Sequence, residues 1–259
     1  MAGPGDAESG LTPRDLNDYD RSRYDRQMMV DGWGEEGQQR LAASTVFIAG
    51  VGGLGSPVSI YLAAAGVGRL VLCDIDVIDL SNLNRQVLYA DADVGQPKAS
   101  VAAAALRRLN EQIEIVEHVE RMTADNIDDL AGSSDLIVDC LDNFPTRYVL
   151  NELCLRQGMP LVHAGVWGLQ AQVAFLQPPQ TACLQCLFPE APPPSKFPVV
   201  GAAPGVAGCL QAMEALKYLA GVGTNLTDRL LMIDGLDGGT RSVRLRRDPS
   251  CPACSGTPI

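Results

Sequence analysis

The segment with the clearest chemical potential is a glycine-rich turn, Gly50-Val51-Gly52-Gly53-Leu54-Gly55, which fits the pattern G-x-G-x-x-G. It follows an apolar run and precedes a helical pattern. Glycines let the backbone turn sharply and approach a phosphate, while the helix N-terminus offers free N–H groups. Asp74 follows 19 residues after Gly55, where an acid hydrogen-bonds ribose hydroxyls. We therefore predict nucleotide binding, and the alternative is a turn needed only for close packing. The pattern does not identify the nucleotide, and taken alone it favours a nicotinamide or flavin oxidoreductase.

Charged residues further along the chain favour ATP over a dinucleotide. Arg85 lies in a polar loop beyond Asp74, and Lys98 stands in the first turn of a predicted helix, where it opposes the helix dipole unless an anion is close. Asp142 follows the fourth predicted strand, at the sheet edge where ligands bind in such folds. Each could be a surface charge or a helix cap. Together they favour phosphate chemistry, because attack on a phosphate needs cations that hydride transfer does not.

Four of the eight cysteines form two C-x-x-C pairs, Cys183 with Cys186 and Cys251 with Cys254. Four thiolates match tetrahedral zinc, and a site without an open coordination position is structural. Four unrelated buried thiols or a redox pair are the alternatives.

The other cysteines and both histidines are predicted to be structural. We expect three of the thiols to be small core residues. Cys209 is predicted to open the last long helix, where a helix N-terminus can lower a thiol pKa, but packing is the favoured role. The residues in this group are Cys73, Cys140, Cys154, Cys209, His118 and His163.

Apolar segments alternate with helical patterns, which predicts an α/β fold with a Rossmann-like, mostly parallel or mixed sheet flanked by helices. The predicted strands are residues 45–49, 70–73, 113–119, 136–139, 161–166, 172–176, 229–234 and 241–246. The predicted helices are residues 56–65, 97–110, 146–157 and 206–220. The proline-rich segment that ends at Pro204 predicts an irregular crossover loop.

Composition limits the partners and the location. The net charge of −11 argues against nucleic acid, which needs a positive surface. Residues 42–68 carry no formal charge and could cross a membrane by length, but six glycines and Pro57 favour a strand, a turn and a helix. No basic and apolar leader opens the sequence. We therefore predict a cytoplasmic protein that binds no membrane.

The chain is predicted to form a single folded domain behind a short tail. Residues 1–18 are polar and rich in Gly, Pro and Asp, which predicts a flexible segment. Residues 19–259 form the domain, with a nucleotide-binding half at about 19–168 and a partner-binding and zinc half at about 169–259.

Taken in order, these motifs resemble those of the MoeB/ThiF/HesA adenylyltransferases, relatives of the adenylation domains of ubiquitin-activating enzymes. The resemblance covers about residues 19–254. The segments that carry it are 23–27, 50–55, 74–76, 81–86, 95–98, 139–143, 211–217 and both cysteine pairs.

The resemblance implies ATP-dependent adenylation of the C-terminal Gly-Gly carboxylate of a small ubiquitin-like sulfur-carrier protein, with release of pyrophosphate. It implies ATP, Mg²⁺ and a structural Zn²⁺ as cofactors. The catalytic residues would be Arg26, Arg85, Lys98 and Asp142, with Arg26 reaching the ATP of the other subunit of a homodimer. The other cofactor-binding residues it implies are Gly50, Gly52, Gly53, Gly55, Asp74, Asp76, Ser81, Asn82, Asn84, Gln86 and Asn143.

Some relatives carry a reactive cysteine in the crossover loop, whereas residues 192–204 of this chain contain none. This difference favours adenylation alone, with sulfur delivered by a separate sulfurtransferase. Two alternatives remain open: an NAD(P)-dependent Rossmann oxidoreductase, and a non-catalytic adaptor of the same fold that binds a carrier without turnover.

Overall fold

The computed structural model describes residues 14–193 and 197–256, and within them eight strands form one mixed sheet. The strands are β1 (Thr45–Ala49), β2 (Arg69–Cys73), β3 (Glu114–His118), β4 (Leu136–Asp139), β5 (Leu161–Trp167), β6 (Gln170–Leu176), β7 (Arg229–Asp234) and β8 (Gly239–Arg244). Their spatial order is β3-β2-β1-β4-β5-β6-β7-β8. The first five are parallel, and β6, β7 and β8 continue the sheet antiparallel. The predicted fold class is confirmed.

Helices cover both faces of the sheet. They are α1 (Asp18–Met28), α2 (Gly34–Ala43), α3 (Gly55–Ala65), α4 (Lys98–Leu109), α5 (Ile127–Ala131), α6 (Phe144–Gln157), α7 (Leu184–Leu187) and α8 (Ala202–Ala220). One core packs α3, α4 and α8 on the sheet through residues such as Leu62, Leu106 and Leu219. The other packs α5 and α6 through Ile127 and Leu150. Burial on both faces explains why the central strands are continuous apolar runs rather than alternating ones.

The apolar segment 42–68 forms β1, the glycine turn and α3, as predicted, and its first two residues end α2, which was not predicted. Over the part of the chain that the structure describes, none of the helices combines the length and apolar character that a membrane span requires.

Two predictions about local structure are wrong. The long helix α8 begins at Ala202, inside the stretch predicted to be irregular, so Cys209 lies two turns into the helix and not at its N-terminus. Burial raises the pKa of Cys209 rather than lowering it, which removes the argument for a reactive thiol at this position.

The predicted tail also ends too late. Leu16 is buried, and the Asn17 side chain accepts a hydrogen bond from the Asp20 backbone N–H at 2.9 Å, which caps α1. Residues 1–13 of the predicted tail, and residues 194–196 of the predicted crossover loop, lie outside the described residues. Helices α1 and α2 were missed because they are rich in charged and polar residues and lack a clear apolar stripe.

Candidate functional site: a cleft at the sheet edge and a tetracysteine cluster

The glycine turn connects β1 to α3 at the carboxyl edge of the sheet. Gly50 has a φ of +90°, a conformation that favours glycine, and its N–H donates to the Cys73 carbonyl at 2.9 Å. A Cβ on Gly55 would lie 2.1 Å from the carbonyl oxygen of Gly50. The last glycine therefore lets the turn fold back onto itself, and its role is packing.

This geometry gives a first prediction. Gly55→Ala is expected to destabilise the protein by about 1–3 kcal/mol or more and to weaken nucleotide binding, because the backbone must move to clear the added methyl group. The matched control is Gly205→Ala in α8, where an added Cβ meets nothing within 4 Å. That change should be neutral or stabilising. Thermal unfolding of the two variants checks the prediction, and equal melting temperatures would contradict it.

A cleft of about 1350 Å³ runs along this edge of the sheet. It gathers the carboxyl ends of β1, β2 and β4 and most of the predicted nucleotide-binding residues. Those that line it are Gly50, Gly52, Gly53, Asp74, Asp76, Ser81, Asn84, Arg85, Gln86, Lys98, Asp142 and Asn143. The structure thus brings into one cavity residues that are up to 93 positions apart in the chain.

Three predicted site residues do not line the cleft. Gly55 packs beneath the turn, and the Asn82 side chain accepts from the Asp79 backbone N–H at 3.1 Å, which makes it part of a cap. Arg26 lies exposed on α1. Its neighbours Tyr24 and Gln27 anchor α1, because the Tyr24 hydroxyl accepts from Asn110 at 2.9 Å and Gln27 donates to a backbone carbonyl of α3.

Two cations line the cleft, Lys98 from the first turn of α4 and Arg85 from the loop between β2 and α4. The Lys98 ammonium is almost fully buried and lies 2.8 Å from Asp76 Oδ2, so an acid of this chain supplies the anion that its place in the helix requires. The Arg85 guanidinium donates to the Ser81 carbonyl at 2.9 Å and to Asn84 Oδ1 at 3.0 Å. Neither contact neutralises Arg85, which keeps a full positive charge at the cleft.

The acid at the end of β2 is tied to the glycine turn. Asp74 accepts from the Val51 N–H and from the Asp76 N–H, each at 2.9 Å. Burial raises the pKa of Asp74 above its ordinary value, and these hydrogen bonds oppose that rise. Nearby, the buried Oε1 of Gln86 has no hydrogen-bond partner among the described residues. A buried acceptor without a partner at the wall of a cleft is one that a ligand can satisfy.

Behind the cleft lies a buried ionic cluster that the sequence analysis did not identify. Asp139 contacts both Arg147 and His163 below the turn that carries Asp142, and Arg147 also lines the cleft. The sequence held a weak signal, since the acid ends an apolar strand and the arginine falls inside a predicted helix. The structural role predicted for His163 agrees with its complete burial.

The two C-x-x-C pairs come together as one cluster. The Sγ–Sγ distances are 3.8 Å for Cys183–Cys186, 3.6 Å for Cys183–Cys251 and 3.5 Å for Cys186–Cys254, and all four sulfurs lie within 4.8 Å of one another. Four thiolates around a tetrahedral zinc ion are separated by roughly 3.8 Å. The Asp248 N–H also donates to Cys186 Sγ at 3.4 Å. The distances fit a metal site and are far too long for disulfides.

The sheet order, the glycine turn and the cleft at the strand ends define a nucleotide-binding α/β protein of Rossmann type. Comparison with known proteins narrows this class. Residues 24–253 match the model of the ThiF family, and the chain belongs to that family.

Its relatives agree with this assignment. The SAMP-activating enzyme E1 of Haloferax volcanii is 45% identical over 90% of this chain and 88% of that protein. The sulfur carrier protein adenylyltransferase of Thermus thermophilus is 43% identical over 91% of both proteins. Other relatives are longer, and the chain spans about half of their length. Among solved structures, Escherichia coli MccB with ATP superposes with a TM-score of 0.78 at 26% identity, covering 92% of this chain and 75% of that chain.

Proposed function

We propose that this protein uses ATP to adenylate the C-terminal Gly-Gly carboxylate of a small ubiquitin-like sulfur-carrier protein, forming an acyl-adenylate and releasing pyrophosphate. The observation that carries the proposal is the cleft, which combines the glycine turn with Arg85, Lys98 and Asp142. The relatives named for sulfur-carrier and SAMP activation support the choice of substrate.

The cleft offers the groups that this reaction requires. Gly52 and Gly53 leave room for phosphates to approach the backbone, Asp74 stands where ribose hydroxyls bind, and Arg85 and Lys98 offset phosphate charge. Asp142 is an exposed carboxylate suited to Mg²⁺, which would neutralise charge developing on the phosphates. The chain's own contribution is to hold ATP, metal and carboxylate in line.

Thiol chemistry at the cleft is not supported by the structure. Cys140 lines the cleft, but burial raises the pKa of its thiol well above the ordinary value, and the protonated form is a poor nucleophile. We therefore propose that a separate sulfurtransferase delivers the sulfur. We also propose a cytoplasmic location, because spaced cysteine pairs that gather into a metal-type cluster are typical of reducing compartments.

We propose Zn²⁺ as the ion of the tetracysteine cluster. The cluster joins α7, which follows β6, to the C-terminal segment and so closes a loop that contains α8, β7 and β8. Three of the four thiols are buried, and four sulfur ligands leave no position for a substrate. Its proposed role is structural.

ATP–pyrophosphate exchange tests the proposed function. Recombinant ubiquitin-like carriers from the same genome are assayed with and without their last two glycines. Exchange that requires the intact carrier supports adenylation. Carrier binding without exchange would indicate an adaptor, and tight NADH or NADPH binding without an ATP response would indicate an oxidoreductase; either result rejects the proposal.

We also propose that the active form is a homodimer in which Arg26 reaches the partner's ATP. Arg26 is exposed and does not line the cleft of its own chain, and its side chain has no hydrogen bond or ion pair within residues 14–193 and 197–256. Arg26→Ala alone should therefore lose exchange activity.

Mixing two inactive variants distinguishes the two possible origins of this arginine. A dimer of Arg26→Ala and Asp142→Ala protomers contains one complete site if Arg26 acts across the interface, and none if it acts within its own chain. Co-expression should then restore roughly a quarter of the wild-type exchange rate. Absence of any recovery would contradict the trans-subunit role.

A further inference from the structure

The position of Asp142 depends on its backbone. Its carboxylate is exposed and makes no hydrogen bond or ion pair with any residue in the described part of the chain. Within that part, no contact of its own side chain therefore fixes where the carboxylate points. The position of the Asp142 carboxylate therefore depends on the backbone of the turn between β4 and α6.

Arg147 of α6 holds that turn through hydrogen bonds to backbone carbonyls. The Arg147 Nη2 donates to the carbonyl of Leu141 at 2.5 Å and to the carbonyl of Ala164 at 2.8 Å. The Leu141 N–H in turn donates to Asp139 Oδ1 at 3.0 Å. Both polar groups of Leu141, the residue directly before Asp142, are thus held by buried side chains.

Asp139 contacts both Arg147 and His163. It ends β4 and is completely buried. Its Oδ2 accepts from His163 Nδ1 at 2.7 Å, and its Oδ1 accepts from Arg147 Nε at 3.3 Å. Burial alone would raise the pKa of Asp139, but Arg147 and the His163 hydrogen bond hold the pKa below its ordinary value. Asp139 is therefore a carboxylate at neutral pH, and Arg147 supplies the balancing charge.

His163 contributes a neutral donor. Burial lowers the pKa of His163, so the imidazole carries one proton, which the contact with the Asp139 carboxylate places on Nδ1. Gln211 of α8 adds a third tie, because its Nε2 donates to the Asp139 carbonyl at 2.8 Å and to the Val162 carbonyl at 3.0 Å. Strands β4 and β5 are thereby fixed to each other at the edge where the turn begins.

We infer that Asp139, Arg147 and His163 form a positioning network that fixes Asp142 for the adenylation step, with Arg147 as its central residue. Buried ion pairs of this kind are not in general a source of stability, because desolvation offsets their attraction. The network reaches the peptide unit that joins Leu141 to Asp142 through Arg147, whose Nη2 donates to the Leu141 carbonyl. The inference rests on the proposed function, since it assigns the network a part in that reaction.

The test is Arg147→Lys, which keeps the charge but cannot make the forked contacts to Asp139, Leu141 and Ala164. We expect kcat of carrier-dependent exchange to fall by about 10- to 100-fold, as misplacement of a catalytic group by about 1 Å can do. KM for ATP should change by less than about twofold, because Arg85 and Lys98, which are proposed to bind the phosphates, lie outside the turn between β4 and α6.

Three comparisons distinguish a positioning role from a general loss of stability. Arg107→Lys is the matched control, since Arg107 also donates from a helix to a strand carbonyl, that of Ile115 at 2.7 Å, and does not line the cleft. It should leave kcat unchanged. In a double-mutant cycle, Arg147→Lys should cost nothing further once Asp142→Asn is present. His163→Asn, which keeps a donor near Nδ1, should retain more activity than His163→Leu.

The outcomes distinguish the inference from the function it rests on. Suppose that the wild-type protein catalyses exchange. An unchanged kcat in Arg147→Lys, or additive losses of kcat in the double-mutant cycle, then overturns the positioning network but not the proposed function. Absence of exchange in the wild-type protein with intact carriers overturns both. A selective, non-additive loss of kcat in a variant whose melting temperature stays within a few degrees of wild type supports the inference.

Discussion

Replacing Asp142 with alanine is expected to lower the rate of ATP–pyrophosphate exchange by about 10³-fold or more while the protein stays folded. The carboxylate is exposed at the cleft and makes no contact that stabilises the fold in the described residues. Its loss removes the proposed magnesium ligand at the point where charge develops on the phosphates. Exchange assays with the intact carrier measure the effect, and circular dichroism verifies the fold.

Arg85→Ala should lower the rate of ATP–pyrophosphate exchange by about 10²- to 10³-fold, because it removes a cation that stabilises the charge developing on the phosphates. The matched controls come from the exposed ion pair Asp128–Arg156, whose nitrogen and oxygen are 2.6 Å apart on the surface. Asp128→Ala and Arg156→Ala change charge in the same way but should leave exchange intact. Wild-type exchange rates in both cleft variants would rule out the proposed site.

Cys251→Ser is expected to abolish zinc binding and to destabilise the protein, with little effect on the nucleotide cleft itself. The cysteine cluster does not line the cleft, so nucleotide binding should persist in the folded fraction. The zinc site would cross-link the two cysteine pairs and close the loop between Cys186 and Cys251. Losing a cross-link over such a loop costs roughly 4 kcal/mol in chain entropy, which lowers the Tm by about 10 °C for a chain of this length. Metal analysis and thermal unfolding measure the two effects.

Cys209→Ser is the matched control for this experiment. Cys209 is a half-buried thiol of α8 that lies outside the cluster, so the variant should keep one zinc per chain and nearly the wild-type Tm. A Cys251→Ser protein that binds zinc as tightly as the wild type, or a wild-type protein that contains no metal, would refute the proposed centre. Chelation of wild-type protein should reproduce the destabilisation.

The central strands could be predicted from the sequence because they are buried on both faces and therefore read as unbroken apolar runs. The glycine turn was equally clear, since only glycine fits at Gly50 and Gly55. Helix α1 was missed because two polar side chains, Asn110 and Gln27, help to anchor it and leave no apolar periodicity to detect. The start of α8 was misplaced because Pro204 was taken as part of the irregular segment, whereas it lies in the first turn, where proline is tolerated.

The sequence predicted most residues of the candidate site but not the contacts between them. Spacing placed Asp74, Arg85 and Asp142 after strands, and parallel strands bring such positions to one edge. The pairing of Lys98 with Asp76, by contrast, depends on the path of the loop between β2 and α4. The contacts of Arg147 depend on the packing of α6 against the sheet, which no local pattern encodes.

The change from parallel to antiparallel pairing has a consequence for how substrates reach the cleft. β5 is hydrogen-bonded to β4 on one side and to β6 on the other, so the strands that present ATP and those beyond them share one continuous ladder. Many enzymes enclose their reactants by rotating two lobes about a linker. Here such a rotation would break the hydrogen bonds between β4, β5 and β6, so we expect motions that admit a substrate to be confined to the loops around the cleft.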